Sequence, residues 1–108
     1  MTVTDTAPFG VADSSRPTTV RLSGEIDIFT TAALRQQLLN TLKYSTSLLV
    51  IDLSQVSFCD AGGLAVLVGI RHRARTMGIT LVLSGPRPFM SRLLRLTGLG
   101  RSLPVVVA

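Results

Sequence analysis

The sequence predicts a single α/β domain, a mostly parallel sheet of four to five strands with helices packed against it. Three observations carry this. The chain is 108 residues long, the usual size of one domain with one core. Hydrophobic residues make up 46% of it and charged residues 16%, so it has the apolar surface to offset the entropy of ordering a chain. Beyond residue 18, short strand-like runs alternate with segments of helical periodicity, the order that builds parallel sheets.

Residues 1–18 are rich in Thr, Ser, Pro and Asp and read as a mostly flexible segment, with room for a short edge strand at Phe9–Ala12 before a turn over Asp13–Pro17. The domain proper is expected over 19–108. It opens with Thr19–Ser23, alternating as a half-buried strand does, and Gly24 is expected to end it before a polar Glu25-Ile-Asp27 loop. Thr30 or Thr31 can cap a helix reaching about Lys43, with Leu34, Leu38 and Leu42 on its inner side. Leu48–Leu53 is an unbroken apolar run of strand length, which reads as a strand covered on both faces.

Ser54–Asp60 is expected to connect that strand to a second helix over about Ala61–Thr76, apolar at its start and basic at its end. Gly78 suits its C-terminal stop. Ile79–Ser84 is the next strand, and Gly85-Pro-Arg-Pro88 the next turn. A third helix over Phe89–Thr97 is expected to bury Phe89, Leu93 and Leu96, and Gly98 to end it in a left-handed turn. Leu103–Val107 closes the chain as a short strand, where Pro104 indicates an edge or a strand start. The predicted core joins Leu34, Leu38, Val50, Ile51, Leu64, Leu67, Leu81, Val82, Leu93 and Leu96.

Composition narrows the function classes. No apolar run approaches the ~20 residues a membrane-spanning helix needs, and the first residues show neither a basic nor an apolar leader region. A lone cysteine, Cys59, can make no internal disulfide and fits a reducing, cytoplasmic setting as a buried thiol. With a single histidine, His72, the chain has no evident nucleophile–base pair. The net charge of +5 is uneven: residues 1–54 hold four cations and five carboxylates, and residues 55–108 hold seven arginines and one aspartate. That asymmetry suits nucleic acid, an acidic partner or plain solvation alike.

Asp27, Asp52 and Asp60 lie after strands, the edge where open parallel sheets place their sites. No spacing requires them to converge on a metal, and caps or ordered loops account for the same residues. Asp60-Ala61-Gly62-Gly63-Leu64 is the most informative stretch. Asp60 can cap the second helix, and two glycines in a first turn are costly unless something approaches closely or the backbone needs freedom. The same turn is a latent anion site. It lacks the Lys-Ser/Thr ending of a phosphate-binding loop.

Together these pieces resemble the STAS domain, and within it the bacterial anti-sigma-factor antagonists. The matching segments are Leu22-Ser-Gly-Glu-Ile-Asp27, Leu49-Val-Ile-Asp-Leu53, Phe58-Cys-Asp-Ala-Gly-Gly-Leu64, and Leu96-Thr-Gly-Leu99 with Leu103-Pro-Val105, in the family's order over about residues 19–107. The resemblance implies a binding module rather than an enzyme, with no cofactor. Its partner would be an anti-sigma factor of the ATP-fold serine-kinase type, met through Asp27 and the Asp60, Ala61, Gly62, Gly63, Leu64 turn. Binding would free a sigma factor for transcription. A monomer or weak homodimer is expected, with no membrane partner and with nucleic acid disfavoured as one.

In regulated members the kinase phosphorylates a serine in a D-S/T-S-G-L loop, and the charge gained breaks the contact. Here Ala61 stands for the first hydroxyl residue and Gly62 for the acceptor, so the resemblance implies a switch without its hydroxyl. Ser54 and Ser57 lie out of register. The chain also stops before most of the family's final helix. The sequence also admits other readings: a nucleotide- or nucleic-acid-binding module, and a receiver-like domain with Asp52 as acceptor. A receiver would need an acidic pair, which Glu25 and Asp27 make poorly, and a late lysine, whereas the sole lysine is Lys43 in a helix.

Overall fold

A computed structural model of the chain describes residues 1–5 and 16–106. Its elements are β1 (Thr2–Asp5), β2 (Thr18–Ile26), α1 (Thr31–Leu42), β3 (Leu48–Cys59), α2 (Ala61–Thr76), β4 (Thr80–Ser84), α3 (Pro88–Thr97) and β5 (Val105–Val106), with a 3₁₀ turn over Leu99–Arg101 before β5. The strands stand side by side in chain order in one sheet. β1 runs antiparallel to β2, and every other neighbouring pair is parallel. Each parallel step is made through one helix, and crossovers of one hand place all three helices on the same face.

The strands show which face that is. Val20, Leu22 and Ile26 of β2, Leu49, Ile51, Leu53, Val56 and Cys59 of β3, and Leu81 and Leu83 of β4 are buried. They meet Leu34, Leu38 and Leu42 of α1, Leu64, Leu67 and Ile70 of α2, and Met90 and Leu94 of α3 in one core. The alternate residues, Arg21, Val50, Asp52 and Val82 among them, are only half-buried or exposed. The expectation that Leu48–Leu53 is covered on both faces is therefore corrected: the run is apolar, but helices cover one face only. On the open face the Arg21 guanidinium pairs with Asp52 at 3.3 Å.

Two strands run farther than the sequence suggests. β2 does not end at Gly24 but passes through it at φ +86°, with register shifts on either side, to bury Ile26 completely. β3 likewise continues through the expected Ser54–Asp60 connector, because Val56 and Cys59 supply further core contacts and Ile26 pairs with Cys59. At the N-terminus, Thr2–Asp5 pairs with Val20–Ser23, so the start of the expected loose segment is a strand. The strand expected at Phe9–Ala12 and most of the Asp13–Pro17 turn lie outside the described residues.

α1 and α2 fall where periodicity places them. α3 has the expected extent but a different buried stripe. Met90 and Leu94 face the core, Phe89 and Leu93 are partly buried, and Leu96 is 75% exposed. Leucines at 93, 94 and 96 allow two apolar stripes, and the one through Met90 and Leu94 is the one that joins the core. Of the predicted core, Leu93 is thus marginal, Val50 and Val82 lie on the open face instead, and Leu96 lies outside. Gly98 ends the helix at φ +73°, as expected.

Candidate functional site

The extension of β2 and β3 brings Asp27 and Asp60 to one edge of the sheet. The Asp60 backbone N–H donates to the Ile26 carbonyl at 3.2 Å, which ties the two exits together. Asp60 then caps α2: its Oδ1 accepts from the Gly63 N–H at 2.8 Å, and its carbonyl accepts from the Leu64 N–H at 3.2 Å. The helix therefore carries its own anion at its positive end, which removes part of what a bound phosphate would use.

The two glycines of this turn have different reasons. A Cβ at Gly63 would stand 2.6 Å from Ile26 Cγ2 and 2.8 Å from Cys59 Sγ, so only glycine lets α2 start this close to the strand ends. Gly62 is exposed, and a Cβ there would meet only the Asp60 carboxylate, at 3.2 Å. Leu64 is fully buried and pins the turn from beneath, while Ala61 is exposed. Cys59 is buried under the turn. Burial, with the Asp60 charge beside it, pushes its thiol up to about 12, so it is a neutral packing group rather than a nucleophile.

Asp27 organises the neighbouring exit. Its carboxylate accepts from the Phe29 N–H at 2.9 Å, and its carbonyl accepts from the N–H groups of Thr30 and Thr31, each at 3.0 Å. Its own N–H donates to the Thr30 hydroxyl at 2.9 Å. Thr30 thus holds the N-cap position of α1, as expected, but spends its side chain on the loop instead of the helix. The consequence is a tight turn that presents Ile28 and Phe29 outward, 75% and 86% exposed. Phe58, opposite Glu25 in the β2–β3 register, is 48% exposed at the same edge.

This apolar trio escaped the sequence reading. Its signal is two bulky apolar residues between a strand and a helix cap, where loops are ordinarily polar. Asp52, by contrast, does not join Asp27 and Asp60. It lies within β3 on the open face. Burial works to raise its pKa, but hydrogen bonds from Ser54 and then Arg21 outweigh it and hold the carboxyl below its ordinary value. Among the described residues no group of three or more potential metal ligands forms. No helix there is long and apolar enough to cross a membrane.

With this geometry in place, comparison with known proteins gives a consistent result. The family described as Mlab, STAS domain matches residues 9–107. An anti-sigma F factor antagonist of Paenibacillus polymyxa is 30% identical over 87 residues, 80% of this chain and 74% of that protein. An anti-sigma-B factor antagonist of Bacillus subtilis is 32% identical over 80 residues, 74% of this chain and 72% of that protein. Among solved structures, an anti-sigma factor antagonist from Mycobacterium paratuberculosis superposes with a TM-score of 0.77 at 30% identity, covering 96% of this chain and 85% of its own.

Proposed function

The chain belongs to the STAS-domain family of anti-sigma-factor antagonists, and from that premise we propose that it binds an anti-sigma factor of the ATP-fold serine-kinase type and so releases a sigma factor. The contact surface is the sheet edge where Asp27, Asp60, Ala61 and Gly62 are accessible; Gly63 and Leu64, expected as contacts too, are buried and support the turn from beneath. The observation that carries this reading is the Asp60-capped glycine turn, with Gly62 exposed, at the same sheet end as the exposed Ile28, Phe29 and Phe58. A core of exposed aromatic and aliphatic anchors rimmed by carboxylates has the composition of a protein interface. The protein acts by binding, in the cytoplasm, with no reaction of its own and no cofactor.

Gly62 stands where regulated relatives carry the acceptor serine, so the kinase has no hydroxyl to modify there and the contact lacks that off-switch. Reconstitution with such a kinase and labelled ATP tests both parts. The wild type should bind and remain unlabelled, and Gly62→Ser should take label. Label on Ser54 or Ser57 of the wild type that also weakened binding would place the switch elsewhere. Absence of binding to any kinase of this class would overturn the reading.

A further inference from the structure

We infer that the groove between α1 and α2 is a second docking site, shaped for an acidic amphipathic helix of a partner protein. The groove has a volume of about 450 Å³. Leu39, Leu42, Val66 and Ile70 form its floor, and the exposed cations Arg35, Lys43 and Arg73 stand on its rim. From Val66 to Met77 it runs roughly 16 Å along α2, the length of about three helical turns. Parallel helices with an apolar trough between them accept a third helix by the same ridge-in-groove packing that joins the first two.

Two features support an outside group there, and an acidic one. The first is Gly69. Glycine is among the poorest helix formers, and at Gly63 the close approach of Ile26 and Cys59 explains it. At Gly69, in the middle of α2, nothing lies within 4 Å of where a Cβ would be. No contact inside the domain requires it, and its effect is to deepen the groove. The second is charge. None of the three helices contains an Asp or Glu, whereas they carry Arg35, Arg71, Arg73, Arg75, Arg92 and Arg95. Arg35, Lys43 and Arg73 have no carboxylate partner among the described residues, so the rim offers three cations to glutamates or aspartates on the flanks of an incoming helix. The trough is concave, which suits a helix and not the flat surface of a lipid layer.

The test uses the whole chain and a synthetic helix-stapled peptide of about four turns, with leucine at i, i+4 and i+7 and glutamate on both flanks. Its partner control carries lysine in place of glutamate. Amide shifts on titration should cluster at Leu39, Val66 and Gly69, and the lysine version should bind at least about tenfold more weakly. Gly69→Leu fills the trough from a position with free space, so it should keep or raise Tm while lowering affinity about tenfold or more. Arg35→Glu with Arg73→Glu should do the same through charge. Equal binding by the two peptides, no binding by either, or a folded Gly69→Leu that binds as wild type would each overturn the inference. So would phosphatidylglycerol vesicles that displace the peptide from these same residues. None of these variants touches the Asp60 turn, so this site and the one proposed above stand or fall separately.

Discussion

The two ends of α2 are built on opposite plans. At the first turn nearly every group has a partner within the domain: Asp60 holds the Gly63 N–H, Gly63 sits against Ile26 and Cys59, and Leu64 is fully buried. From Gly69 onward the outer face is left open, with a glycine that touches nothing and arginines paired with no described carboxylate. Contacts inside the domain account for the buried half of the first region, Gly63 and Leu64, while none accounts for Gly69 in the second. Composition alone cannot separate the two, since glycine and charge occur in both. What separates them is whether a contact inside the molecule accounts for the residue.

The largest effect expected from disturbing this arrangement is on the core. Leu67→Ala removes a fully buried side chain of α2 and should cost about 2–5 kcal/mol, read by chemical denaturation. An unchanged midpoint would remove that face from the core. The glycines come next, and their signs should oppose. Gly63→Ala should lose about 1–3 kcal/mol through the clash with Ile26 and Cys59. Gly69→Ala should gain up to about 1 kcal/mol from helix propensity, with nothing to collide with. If both changes had the same sign, the distinction between internal and external causes would fail.

Phe29→Ala addresses the same contrast at the sheet edge. The ring is 86% exposed, so Tm should not move, while affinity for the anti-sigma factor should fall by about 1–2 kcal/mol. The smallest effect concerns the open face. The folded pKa of Asp52 is held below its ordinary value of about 3.9, so the stability it contributes is present above that pH and is lost as pH falls through the folded value. The Arg21 partner is 59% exposed, so the pair is worth less than about 1 kcal/mol. Denaturation of wild type and Asp52→Asn should show a gap near neutral pH that closes in acid.

Much of the fold was legible because strands and helices here follow their own periods. α1 and α2 lie within a residue of their expected bounds, and the Asp60 cap and the Gly98 stop follow from local chemistry. The strand ends were not legible. Gly24 reads as a stop, but its positive φ lets β2 bulge and continue, and only tertiary burial of Ile26 and Cys59 makes that continuation worthwhile. The same extension decides the site. Without it, Asp27 and Asp60 are two acids in separate loops, and nothing gathers Ile28, Phe29 and Phe58 at one edge. Which of two leucine stripes α3 would bury depended on packing into the shared core, which the helix's own period does not decide.

The proposed contact with the anti-sigma factor is the exposed Gly62 turn. Gly62→Asp tests it most directly, because it places negative charge at the position proposed to correspond to the acceptor serine. The fold should tolerate it: Gly62 is exposed, and a Cβ there meets only the Asp60 carboxylate at 3.2 Å, which need give by only a few tenths of an ångström while keeping its cap on Gly63. Calorimetry against the purified kinase-type anti-sigma factor, with Tm measured beside it, gives the answer, and Gly62→Ser without ATP serves as the uncharged control. The account predicts that Gly62→Ser binds nearly as wild type, whereas Gly62→Asp melts within a few degrees of wild type and loses several kcal/mol of affinity, roughly the penalty of an unpaired charge in a close-packed interface. A folded Gly62→Asp that binds as tightly as wild type would contradict it and move the contact away from this turn.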